Sequence, residues 1–192
     1  MVDRRSILKI GAATVAGALV KMPVFARNQS LTRAHVAFHR AVFDERFAEC
    51  REFAAELHSA GVFPSAIRGD VAGLWYEDLR AHLRDTHLPA AGLTDRAALF
   101  CLEELARDVS MRVIFRADHL IDQNGQTKHT AVGPESLVAI ASNLPRDAGF
   151  GRAVAVLFSQ FDSNEPRDMA AKKRTGPFSP ENKTALVSWL IA

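Results

Sequence analysis

From residue 36 onward, short strand-like runs alternate with stretches of helical periodicity, and this alternation constrains the fold more than any other feature. Val36 to Phe43 (VAFHRAVF) reads as a first strand. Phe47, Cys50, Ala54 and Leu57 then fall at i, i+3, i+7 and i+10 on one helical face, with Asp44 placed to cap the helix and Gly61 to end it. Residues 65–69 read as a short second strand, and Gly69-Asp70 turns the chain into another helix. Its Val71, Leu74, Trp75, Leu79 and Leu83 share a face, and Pro89 and Gly92 read as a break. Thr94 is placed to cap a third helix, whose Leu99, Leu102, Ala106 and Val109 make an apolar stripe.

The second half continues the pattern. Met111, Val113 and Phe115 alternate with Arg112, Ile114 and Arg116, so residues 111–120 form a strand with one apolar face. Asn124-Gly125 sits where a two-residue hairpin turn belongs, with residues 127–132 as the returning strand. Gly133-Pro134 opens a helix through Ile140, and Gly149 to Phe161 forms another. Residues 162–183 are polar, carry Pro166, Pro177 and Pro180, and read as a surface loop. Residues 185–191 (ALVSWLI) close the chain as a buried strand. These elements predict an α/β fold: a compact single-domain sandwich of βα units with one added β-hairpin, spanning residues 27–192. An all-α arrangement requires the first and last strands to be helical instead.

The first 26 residues follow a different logic. The 192-residue chain carries 24 basic and 22 acidic side chains, a formal net charge of +2. Arg4, Arg5, Lys9 and Lys21 against Asp3 give this segment +3, leaving 20 basic and 21 acidic residues, or −1, for the rest. With 48 % hydrophobic and 24 % charged residues, the composition excludes a disordered tail, a rod or a disulfide-dense mini-protein. Ile10 to Val20 is an apolar run that as a helix would measure about 16 Å, against a hydrocarbon core of roughly 30 Å. Val24-Phe25-Ala26 suits signal peptidase, with cleavage after Ala26.

Asp3-Arg4-Arg5-Ser6-Ile7-Leu8-Lys9 resembles the twin-arginine (Tat) export motif. Arg4, Arg5, Leu8 and Lys9 match it, while Asp3 stands in place of a hydroxyl residue and Ile7 in place of phenylalanine. The resemblance implies that the Tat translocase carries an already folded protein to the periplasm. It implies a soluble, secreted mature form with no membrane span. It covers the signal alone and says nothing of the family of the mature domain.

Motifs that would name a reaction are missing. Cys-x-x-Cys, His-Glu-x-x-His, Gly-x-Ser-x-Gly and a phosphate-binding Gly-x-x-x-x-Gly-Lys do not occur. Gly149-Phe150-Gly151 lacks the third glycine of a dinucleotide fingerprint. No cofactor and no metal is expected. Cys50 and Cys101 each fall on an apolar helical face, with burial, a mutual disulfide or a thiolate as the alternatives.

Four constellations remain. His35 and His39 are four apart and share one face, more simply as an exposed pair than as the start of a metal site. His82 and His87 flank the break after a helix and face solvent, while His58 suits the helix C-terminus before Gly61. A turn at Asn124-Gly125 sets Asp118 diagonal to His129 on one face, a carboxylate–imidazole couple fit for acid–base work or a solvated charge pair. Asp44 and Asp70, each following a parallel strand, face one crevice with Tyr76 and Glu77 nearby, and both also serve as caps. Lys172-Lys173-Arg174 is the only basic cluster. With a mature charge of −1 it does not support nucleic-acid binding. The leading expectation is a cofactor-free accessory, partner or binding protein. The alternatives are a small periplasmic enzyme using Asp118, His129 and Asp70, and a redox protein.

Overall fold

Strand β1 (Arg40–Asp44) is followed by helix α1 (Ala48–Ser59), and strand β2 (Ser65–Ile67) returns parallel to it. The computed structural model describes Phe38, Asn124 and residues 40–122, 126–145, 149–162, 169–174 and 184–192. The expected signal segment 1–26, with Arg4, Arg5, Leu8, Lys9 and Ala26, lies outside the described residues, as do His35 and His39.

After β2 the chain forms α2 (Ala72–Leu74), a π-helical turn (Trp75–Leu79) and α3 (Arg80–Thr86). Trp75, Leu79 and Leu83 are spaced by four, which drifts around a regular α-helix. A wider turn offsets that drift, and all three side chains are buried together. Strand β3 (Ala90–Thr94) then runs parallel to β1 and leads into α4 (Arg96–Arg107). Strands β4 (Val113–Ile121) and β5 (Thr127–Pro134) form the hairpin, α5 (Glu135–Ala141) and α6 (Phe150–Ser159) follow, and β6 (Met169–Arg174) and β7 (Thr184–Ile191) complete the fold. Among the described residues these strands form one mixed sheet, ordered β2-β1-β3-β7-β4-β5-β6. The chain is therefore α/β.

Helices cover the sheet unequally. On one face α1, α5 and α6 pack over a core that includes Phe53, Phe115, Leu157, Phe158 and Leu190. Phe158 takes edge-to-face contacts from Phe38, Phe53 and Phe115. On the other face α2, α3 and α4 enclose Trp75, Leu83, Leu99, Leu102 and Trp189. Helices α1 and α6 cross closely at Gly151, where a Cβ would meet the Glu49 carbonyl oxygen. That close contact accounts for the second glycine of Gly149-Phe150-Gly151 without any nucleotide.

Two strands run where the sequence suggested breaks or loops. Residues 90–94 (AAGLT) lack β-branched and aromatic residues except Thr94, so they carry no strand signal. Yet all five are buried at the sheet centre, and Gly92 is required there because the Trp189 indole lies across it. A Cβ on Gly92 would stand 2.2 Å from the ring. Residues 169–174 (MAAKKR) form an edge strand paired only to β5, and lysines on an edge discourage pairing with other chains. The rest of the expected 162–183 loop lies outside the described residues, apart from Asp162. In β4 a bulge between Val113 and Phe115 changes which face successive residues occupy, so Ile114 and Phe115 are both buried.

Gly92→Ala is expected to destabilise the domain by about 2 kcal/mol or to prevent folding, because the indole has nowhere to move. Gly73→Ala, with no atom within 4 Å of the added carbon, is expected to stabilise helix α2 by about 0.5 kcal/mol. Urea denaturation of the two variants checks the contrast.

Candidate functional site

The parallel strands β1, β2 and β3 end on the same side of the sheet. Helix α1 leaves β1 toward one face while α4 leaves β3 toward the other, which opens a crevice between these strand ends at a topological switch point. Asp44, the last residue of β1, is fully buried there. Arg46 holds it: Nε lies 2.9 Å from Oδ1 and 3.1 Å from Oδ2, and the Arg46 backbone N–H also donates to Oδ1. The same guanidinium donates to Asp95, which succeeds β3 and caps α4 by accepting from the Ala98 N–H at 2.8 Å.

Arg46 thus ties together the ends of three strands. Gly69, after β2, has φ +85°, and a Cβ there would stand 2.8 Å from the guanidinium carbon. The Phe47 ring lies 5.2 Å from the same carbon, a cation–π contact. Hydrogen bonds donated to Asp44 and then to Asp95 raise the Arg46 pKa further above its ordinary value, so the bridge stays charged. Thr94, at the end of β3, accepts from the Trp189 indole N–H at 3.1 Å and donates to the Asp95 carbonyl. It ends the strand rather than capping the helix.

Asp70 sits on the β2 side of this crevice, exposed, with its carboxylate accepting the Ala72 N–H at 2.8 Å. It starts helix α2. Asp44 does not cap α1: the residue at that position is Phe47, with no side-chain bond, because the Asp44 carboxylate is committed to Arg46. Tyr76 and Glu77 are exposed on the π-helical turn.

The hairpin register differs from the sequence expectation by one residue. Ile121 pairs with Thr127, His119 with His129 and Asp118 with Thr130. The Asp122 carboxylate gathers the Asn124 and Gln126 N–H groups, and the Asp122 N–H bonds to the Gln126 carbonyl, so the connection is longer than a two-residue turn. A one-residue shift moves a side chain to the other face. Asp118 and His129 therefore lie on opposite faces of the sheet and form no acid–base couple.

Each instead has its own partners. Asp118 faces α4 and accepts from Arg96 Nε at 2.8 Å and from Arg116 at 3.0 and 3.1 Å. Partial burial opposes ionisation, but the hydrogen bonds from Arg116 and Arg96 prevail and lower its pKa. His129 is buried on the α6 side, its Nδ1 2.7 Å from His119 Nδ1, while His119 Nε2 lies 2.8 Å from Ser188 Oγ. Phe150 packs on both imidazoles. Burial, and next the adjacent His129, hold His119 well below its ordinary imidazole value. Nothing in the sequence except a correct register would have found this pair.

The cysteines fall on opposite sides of the sheet. Cys50 is buried in α1, and burial pushes its thiol pKa up. Cys101 is exposed on α4, so it does not share the apolar stripe expected of it, and both are free. His58 packs edge-to-face on Phe63, His82 is half-buried within α3, and His87 is exposed at the α3 C-terminus with φ 52°. Among the described residues no cluster of three His, Cys, Asp or Glu side chains is placed to hold a metal ion. Among the described residues no helix is long and apolar enough to cross a membrane.

Part of the sheet surface carries no helix among the described residues. On the face where α4 covers β7, no helix reaches β5 or β6 among the contacts of the described elements. Arg116, Asp118 and Leu120 of β4 and Lys128 and Thr130 of β5 are half-buried there, and Val132 is 46 % exposed. The register continues the row Asp118–Thr130–Lys173 across to β6. In comparisons with known proteins, no family model matches the chain, and neither a curated protein nor a solved structure matches it.

Arg46→Ala is expected to cost about 2–4 kcal/mol, since it strands the Asp44 carboxylate in the sheet with only partial access to water. Arg46→Lys recovers only part of this because an ammonium lacks the bidentate fork. Equilibrium unfolding measures both. The His119 shift sets a second expectation. The unfolded imidazole takes up a proton below about pH 6.5 and the folded one resists it, so stability falls on acidification by up to about 1.4 kcal/mol per pH unit. His119→Gln flattens that slope between pH 7 and 5, as pH-dependent urea midpoints would reveal.

Proposed function

We propose that this chain is a periplasmic protein exported by the twin-arginine route, and that its mature domain is a cofactor-free accessory or binding protein. The uncovered face of β4–β5–β6 carries the binding reading. Antiparallel strands such as β4–β5–β6 can leave one face to water, and apolar surface on such a face is where another molecule fits. Val132 and Met169 leave apolar surface there, 46 % and 62 % exposed.

The polar groups around the fold support binding over acid–base chemistry. Asp44 and Asp95 share Arg46, Asp118 is held by two arginines, and the imidazoles of His119 and His129 bond to each other inside the core. The export half of the proposal rests on Arg4, Arg5, Leu8 and Lys9 and on the small residue Ala26.

Export and docking are tested in the same cells. Arg4→Lys/Arg5→Lys abolishes accumulation of the mature protein beginning at Arg27, and continued export of this form overturns the Tat assignment. A photocrosslinking residue replacing Thr130 joins the exported protein to a partner, whereas one replacing Ser59, exposed on α1, does not. Absence of adducts at Thr130, or equal adducts at both positions, overturns the docking face.

A further inference from the structure

The cations of the open face are unevenly matched by anions. Arg116 projects from β4 and Arg96 reaches over from α4, their side chains 40 % and 57 % exposed. Lys128 of β5 and Lys173 of β6 belong to the same face by register and alternation. Among the described residues Asp118 pairs with both arginines, and no ion pair is seen for Lys128 or Lys173. The domain after residue 26 carries −1 overall, so this excess is a local asymmetry balanced elsewhere.

Geometry restricts what the excess can receive. Asp118 clamps Arg116 through two N–H groups, which holds its guanidinium in a fixed place beside the pleated surface. With that edge of the guanidinium taken by Asp118, its remaining Nη N–H groups can still donate to a carboxylate. The row from Asp118 through Thr130 to Lys173 spans two inter-strand spacings, about 10 Å, which sets Lys173 that far across the face from the arginine-bound carboxylate. Val132 and Met169 supply apolar contact between them. Strand β6 ends the sheet among the described residues.

We propose that this face docks an acidic polypeptide segment with apolar residues between its carboxylates, the partner's charge complementing Arg96, Arg116, Lys128 and Lys173. The inference rests on the accessory or binding reading above and names the chemistry of the partner. Charge complementarity of this kind speeds encounter and sets specificity, and salt weakens it.

The test titrates the full mature chain with a synthetic peptide of alternating Glu and Leu, read by isothermal calorimetry and by amide shifts in β4–β6. Parallel arms use a Lys–Leu peptide of equal length and phosphatidylglycerol vesicles. Binding of the Glu–Leu peptide alone is expected, weakening with added salt and falling at least about tenfold in Lys128→Glu/Lys173→Glu. Lys128→Gln/Lys173→Gln gives a smaller loss in the same direction, which separates charge from any effect on folding. Three results overturn the inference: no Glu–Leu binding, binding indifferent to both double variants, or vesicle binding that exceeds peptide binding. Failure here with Thr130 crosslinks intact discards the acidic partner and leaves the docking face standing, whereas loss of the crosslinks removes the face itself.

Discussion

Three parallel strands end at one arginine. Arg46 binds the buried Asp44 of β1, lies against Gly69 after β2, and reaches Asp95 at the start of α4. A carboxylate with no exposed surface at a strand end is expensive unless it is paired. Its pairing here adds to the Glu45 N–H bond to the Ile67 carbonyl and the Arg68–Glu45 ion pair in joining the segments that follow the strands. Because α1 and α4 depart to opposite faces, this bridge spans the place where an open α/β sheet usually receives a ligand. In this protein the place is filled by the protein's own charges.

The sheet centre obeys a second constraint, which is size. Trp189 of β7 lies across β3, and the neighbouring strand accommodates it by being small: Ala90, Ala91 and Gly92. The indole N–H then finds Thr94, so a large apolar ring and its polar edge are both satisfied without water. On the hairpin side, the His119–His129–Ser188 chain does similar work, satisfying polar atoms within a core that Phe150 seals.

Charge is distributed in a way that totals conceal. The segment 1–26 accounts for the basic character of the whole chain, and the remaining residues are nearly neutral. Among the described residues, however, one half-face of the sheet gathers Arg96, Arg116, Lys128 and Lys173, with Asp118 bound to the two arginines. A partner meets that local field, not the net charge.

The sequence by itself determined the α/β class, most helices and the apolar strands, because their periodicities of 3.6 and 2 are written locally. The bounds of α1, α4 and α6 lie within the expected helical stretches, α5 runs one residue past Ile140, and Trp75 and Trp189 are core residues as expected. What only the tertiary structure decided depended on contacts distant in the chain. Ala90–Thr94 is a strand because Trp189 packs on it, and Met169–Arg174 is one because β5 offers an edge; neither has a signal of its own. The hairpin register turned on how Asp122 gathers its loop, and one residue of shift separated Asp118 from His129. Arg46 carried no motif at all. Its role exists because folding brings Asp44, Gly69 and Asp95 to the ends of adjacent strands, a relation that spacing along the chain does not encode.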